Sequence, residues 1–79
     1  MHVTVMPPRA GGTGYVIARD QPSFSFATAD GSWVDFLRSW KEAIQFTTPG
    51  EAIRFAEANG WTVMNKKDGE TLIDVRTGR

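Results

Sequence analysis

The sequence predicts a small α+β domain: a mainly antiparallel sheet of about five or six short strands with one principal helix, at about 48–59, packed on one face. Three observations carry this expectation. Short alternating segments parted by turn residues fill the N-terminal half. One well-capped helical segment follows, and behind it two β-forming runs flank an Asp-Gly turn. A single small domain over residues 1–79 is expected, because a chain this short supports one core and no more.

Taken in order, His2-Val3-Thr4-Val5-Met6 alternates with apolar residues at 3 and 5, and Pro7-Pro8 ends its pairing because proline lacks a backbone donor. Gly11-Gly12-Thr13-Gly14 reads as a loop. Tyr15 to Arg19 is rich in β-formers and closes on Asp20-Gln21-Pro22. Ser23 to Thr28 alternates, placing Phe24 and Phe26 on one face, and Ala29-Asp30-Gly31 makes the next turn. From Ser32 to Phe46 two periods compete. Trp33, Phe36, Leu37, Trp40 and Ile44 fall at helical spacing, whereas 42–47 alternates. The reading taken is an irregular or helical turn over 33–40 followed by a strand over about 42–47.

The second half is locally explicit. Thr48-Pro49-Gly50-Glu51 has the form of a capping box: the Thr48 hydroxyl accepts from the Glu51 N–H, and the Glu51 carboxylate reaches back. Proline suits the first helical position, and Gly60 after Asn59 is a left-handed stop. Trp61-Thr62-Val63-Met64 and Thr71 to Val75 read as a hairpin about Lys66-Lys67-Asp68-Gly69. The helix is also placed to cross between strands 42–47 and 61–65 and make one parallel pair. Arg76 to Arg79 reads as a frayed tail.

Composition narrows the function classes. Nine basic and nine acidic residues cancel, and they also cancel on either side of Trp40, which argues against a basic grip on nucleic acid and against an acidic DNA mimic. The chain has no cysteine, so disulfides and thiolate–metal sites are excluded. No apolar run approaches the roughly 18 residues of a membrane span. Residues 1–9 lack the basic start and apolar stretch of a signal peptide, so a cytoplasmic location without membrane insertion is expected.

Catalytic equipment is sparse. His2 has no partner at ligand spacing, so no metal site is expected. Gly11 to Gly14 invites an anion- or nucleotide-binding reading, but the Lys-Ser/Thr and helix of a phosphate loop do not follow it. The carboxylates Asp30, Asp35, Glu42, Glu51, Glu57, Asp68, Glu70 and Asp74 are scattered among turns, caps and outer faces, with no tuned histidine beside them. The expectation is a protein that is no enzyme and needs no cofactor.

The aromatic content stands out: three Trp, five Phe and one Tyr. Trp61, directly after the helix stop, is a packing candidate. Trp33 and Trp40, with Asp35, Arg38 and Lys41 around them, are the partner-binding candidates, because Trp and Arg combine large apolar area with directed polar contacts. Completion of the core by both tryptophans is the competing reading. Stacking on single-stranded bases is a third, disfavoured by the zero net charge.

Ile44-Gln45-Phe46-Thr47-Thr48-Pro49-Gly50-Glu51-Ala52-Ile53-Arg54-Phe55-Ala56-Glu57-Ala58-Asn59-Gly60-Trp61-Thr62-Val63 resembles the strand–helix–strand core of the 18 kDa accessory subunit family of respiratory complex I. There a strand ends in Phe-x-Thr and an Ala- and aromatic-bearing helix runs to a Gly-Trp step. The family's Gly-Trp-Thr-Ser-Ser stretch is replaced by Gly31-Ser32-Trp33-Val34-Asp35. The resemblance implies a helix on a sheet and a non-catalytic role in docking to a larger assembly. In size, compactness and lack of catalytic residues the chain is also similar in type to phage-encoded anti-CRISPR inhibitors. The favoured expectation is therefore a phage or mobile-element inhibitor that docks on a host CRISPR effector complex. An accessory or assembly protein of respiratory complex I (NADH dehydrogenase) is the alternative, and an anion binder using loop 11–14 is the third.

Overall fold

Alternation in the first strand decides which side of the sheet is buried. Val3 and Val5 are 1% and 0% exposed, while His2 and Thr4 between them face solvent. The computed structural model describes residues 1–7, 14–21, 23–35 and 40–73, and of Trp40 the backbone only. Five strands form one sheet: β1 (His2–Met6), β2 (Val16–Arg19), β3 (Ser25–Ala27), β4 (Trp33–Asp35) and β5 (Thr62–Val63). Their order is β4-β3-β2-β1-β5, antiparallel throughout except for the parallel pair β1·β5. One helix, α1 (Pro49–Ala58), packs on the face that carries Val3, Val5, Ile17, Ala27 and Val63. The fold is α+β.

The helix buries Ala52, Ile53 and Ala56. The two alanines let its axis approach the sheet, and Ile53 fills the space between. At ten residues it is too short to persist alone, so this packing holds it. Both its ends form, with one difference from the expected box: the Glu51 carboxylate meets the Thr48 hydroxyl and not the Thr48 N–H. Thr48 Oγ1 accepts from Glu51 N at 3.3 Å and donates toward Glu51 Oε1 at 3.4 Å. At the other end Gly60 has φ +80°; Gly60 N donates to Glu57 O and Trp61 N to Ala56 O, both at 3.0 Å, which is a Schellman closure. The apolar contact that accompanies such a closure is the Phe55–Trp61 ring pair, 6.1 Å between centroids.

Three expectations are corrected. First, 33–35 is a strand. It pairs with β3 in the register Ser25↔Asp35, Phe26↔Val34, Ala27↔Trp33, because the Thr28–Ser32 turn folds it back. That turn is held by Asp30 Oδ1, which accepts from Ser32 N at 3.0 Å, and by Gly31 at φ +84°. Residues 36–39 lie outside the described set, and Trp40–Glu42 is a 3₁₀ turn. Second, 42–47 is not a strand. Ile44 N donates to Ala27 O, and Phe46 exchanges two bonds with Tyr15, at 2.8 and 2.9 Å. The segment thus wedges between the diverging ends of β2 and β3 and pairs at one residue. Third, the parallel partner of Thr62–Val63 is β1 and not 42–47, so the crossover runs to β1. The hairpin about 66–69 is present at Lys66↔Leu72, with Ile73 N donating to Asn65 O at 2.9 Å. Residues 74–79 lie outside the described set.

The β1·β5 pairing is lengthened by a side chain. Asn65 Oδ1 accepts from Val5 N at 3.0 Å, and Asn65 Nδ2 donates to Val5 O at 2.7 Å, 60 positions away in sequence. The carboxamide imitates a peptide group where the strand itself has turned away. It thereby satisfies both backbone groups of a core residue.

Two local features give testable consequences. Gly14 is buried, and a Cβ there would stand 2.9 Å from Gln45 Cβ and from Phe46 O, both on the wedge. Gly14→Ala is therefore expected to cost about 2 kcal/mol and to lower the melting temperature by roughly 8–16 °C. Gly69→Ala, with nothing within 4 Å, is the control and should stay within about 0.5 kcal/mol of the parent.

Asp30 and Asp68 are both held below the ordinary carboxylate range, first by the Thr28 hydroxyl and by the Glu70 N–H respectively. Their contribution to stability is full above the unfolded-state pKa and is lost as pH falls through the lowered folded values. Asp68→Asn should accordingly make the acid limb of a melting-temperature profile shallower, while leaving the neutral region nearly level.

Candidate functional site

β4 is an edge strand, and the parity that buries Ala27 puts Trp33 on the helix side of the sheet. Trp33 is half-buried. Its ring lies 4.9 Å from that of Trp61 at 41°, and the Arg19 guanidinium sits 4.4 Å from its centroid. Trp61 in turn meets Phe55, and Phe55 meets Phe46 at 5.3 Å. A ladder of rings thus runs from the core to the sheet edge, with its last member, Trp33, in contact with both a second indole and a cation.

Each neighbour is placed by a separate local rule. Trp61 is the residue after the Gly60 stop, so the Schellman closure fixes its direction. Arg19 is two residues beyond the fully buried Ile17 on β2, so alternation aims it to the same side. The register Arg19↔Ser25↔Asp35 sets it in the cross-strand row beside Trp33. Arg19 Nε is buried with no hydrogen-bond partner among the described residues, and the indole face below the guanidinium takes the place of one.

The sequence candidates fall unevenly on this site. Trp33 and Asp35 lie two apart on β4 and share a face, with Asp35 exposed at the rim. Lys41 is exposed on the 3₁₀ turn Trp40–Glu42, which packs near β4. Arg38 and the side chain of Trp40 lie outside the described residues. Sequence reasoning missed Arg19 as a site residue and took Trp61 only for packing. The available signal was a cation in phase with Ile17 on a strand whose neighbour carries a tryptophan.

Other candidates are less built. Of the loop Gly11–Gly14, only Gly14 is within the described set; it is packed against 45–46, and the following Tyr15 N–H is bonded to Phe46 O. Across the sheet, a shallow open depression of about 360 Å³ lies between Met1, His2, Asp20 and Met64. Among the described residues no three His, Asp or Glu side chains gather as metal ligands, and no helix is long and apolar enough to cross a membrane. No family model matches the chain, and no curated protein or solved structure shows significant similarity to it.

Proposed function

We propose that this chain is a non-catalytic protein-binding domain whose docking face is Trp33, with Arg19 and Trp61 clamping it and Asp35 and Lys41 at the rim. The observation that carries this reading is the clamp itself. An edge-strand tryptophan in contact with both an indole and a guanidinium offers apolar area already ordered, so little side-chain entropy is lost on docking. Balanced charge favours a protein partner over nucleic acid.

The partner class favoured is a large cytoplasmic host assembly, with a crRNA-guided CRISPR effector complex first. Blocking such a complex requires occupancy of its surface and no chemistry, which suits a phage or mobile-element inhibitor of this size. The alternative, an accessory or assembly role on respiratory complex I, rests on the sequence likeness of residues 44–63, whose first strand is reduced here to the single Phe46 bridge. The test is capture of partners from a bacterial lysate by the tagged chain and by its Asp35→Arg variant, with the bound subunits identified by mass spectrometry.

A further inference from the structure

We propose that the Asn59-Gly60 step is a site of spontaneous covalent modification, at which Asn59 loses its amide nitrogen and becomes an aspartyl or isoaspartyl residue, loosening the seat of Trp61. The reaction needs only water. The Gly60 backbone nitrogen attacks Asn59 Cγ and gives up its proton; the Cγ–Nδ2 bond breaks, and Nδ2 departs with a proton as ammonia. The new N–Cγ bond closes a five-membered succinimide. Water then adds across either of its two C–N bonds, giving aspartate or, with the main chain rerouted through the side chain, isoaspartate. One water is consumed and one ammonia released, with no change of oxidation state.

The reactive pairing occurs once in the chain, since the other asparagine, Asn65, is followed by Lys66. Glycine leaves the attacking nitrogen unscreened, and at Gly60 nothing stands within 4 Å of the place a Cβ would take. Asn59 itself is exposed. Both reacting groups are nevertheless tied in the native turn: Asn59 Nδ2 donates to Phe55 O at 2.9 Å, and Gly60 N to Glu57 O at 3.0 Å. The folded chain therefore reacts only when the last turn of α1 opens, and helix ends are where local opening costs least.

Competing sites are restrained differently. The Asn65 carboxamide is bonded at both ends to Val5. At Asp30-Gly31 and Asp68-Gly69 the same ring closure needs the neutral acid, whereas hydrogen bonds hold both carboxylates ionised.

The consequence follows from position. Isoaspartate inserts a methylene into the main chain between α1 and Trp61. It also adds a negative charge at the C-terminal end of a helix with no basic residue in its last turn, where the dipole is already negative. The Gly60 and Trp61 bonds to Glu57 and Ala56 cannot both persist, and Trp61 loses its registry with Phe55 and Trp33.

The experiment incubates the full chain at mildly alkaline pH, folded and in urea, beside an Asn59→Gln variant. It follows isoaspartate by peptide mapping and by methyl transfer from an isoaspartate methyltransferase. Isoaspartate is expected at position 59 in the folded parent, forming about tenfold or more slowly than in urea because the turn must open first. It should be absent from the variant, and the modified fraction should show shifted tryptophan emission and a lower melting temperature. The proposal is overturned if the folded chain stays unmodified over an interval roughly a hundred times the one that converts the urea sample. It is equally overturned if the modified protein has the emission and melting temperature of the fresh one.

Discussion

Ile53→Ala is expected to destabilise the domain by about 3 kcal/mol, the largest effect of any single truncation on α1. Ile53 is fully buried where the helix meets Val3, Val5, Ile17 and Val63, and its flanking core residues on the helix are alanines. Alanine methyls cannot collapse into the space, so the cavity penalty adds to the lost transfer free energy. A domain of this length has about 4–12 kcal/mol of total stability, so the variant should melt roughly 12–24 °C lower. Arg54→Ala, one position on, is the control. Its ion pair with Glu70 is exposed and 3.8 Å long, and its removal should change stability by less than about 0.5 kcal/mol. Equal effects from the two variants would place the helix in another rotation, or off the sheet.

Legibility in the sequence followed the range of the interactions. The ends of α1 were readable because each is decided within four or five residues: Thr48 with Glu51, and Gly60 with Glu57 and Ala56. The strands β1 to β3 were readable from alternation against one buried face. Trp33 to Asp35 misled because Trp33 falls in a helical stripe with Phe36, Leu37, Trp40 and Ile44. What decided it was the Asp30-Gly31 turn, which brings Trp33 opposite Ala27. The partner of β5 was not readable either. Parallel pairing with β1 depends on contacts across some 60 positions, and the Asn65 carboxamide that secures it has no sequence signature. Of the candidate site, Trp33 and Asp35 were visible as residues, but the strand that carries them was not. The Arg19–Trp33–Trp61 clamp emerges only once three separate elements are laid side by side.

Trp33→Ala should weaken capture of the protein partner by about 30-fold or more, the effect of losing one central anchor of about 2 kcal/mol. The same substitution removes the Trp61 ring contact and the Arg19 stack, so a stability loss of about 1–2 kcal/mol accompanies it. The two effects are separable. Arg19→Lys keeps a charge on β2 but gives up the planar stacking surface, and it should weaken binding less than Trp33→Ala while moving the melting temperature only slightly. If Trp33→Ala lowers stability as described and leaves binding intact, Trp33 is a packing residue and the docking face lies elsewhere.

The most direct test of the central claim is the paired capture from a bacterial lysate with the parent chain and Asp35→Arg, after matched melting temperatures show both to be folded. Asp35 is exposed at the rim of the Trp33 face, so the charge reversal opposes a partner without opening the core. The parent is expected to retain the subunits of one defined assembly, CRISPR effector or complex I, and Asp35→Arg to lose them together. Retention of the same subunits by both chains, in the same amounts, would contradict it.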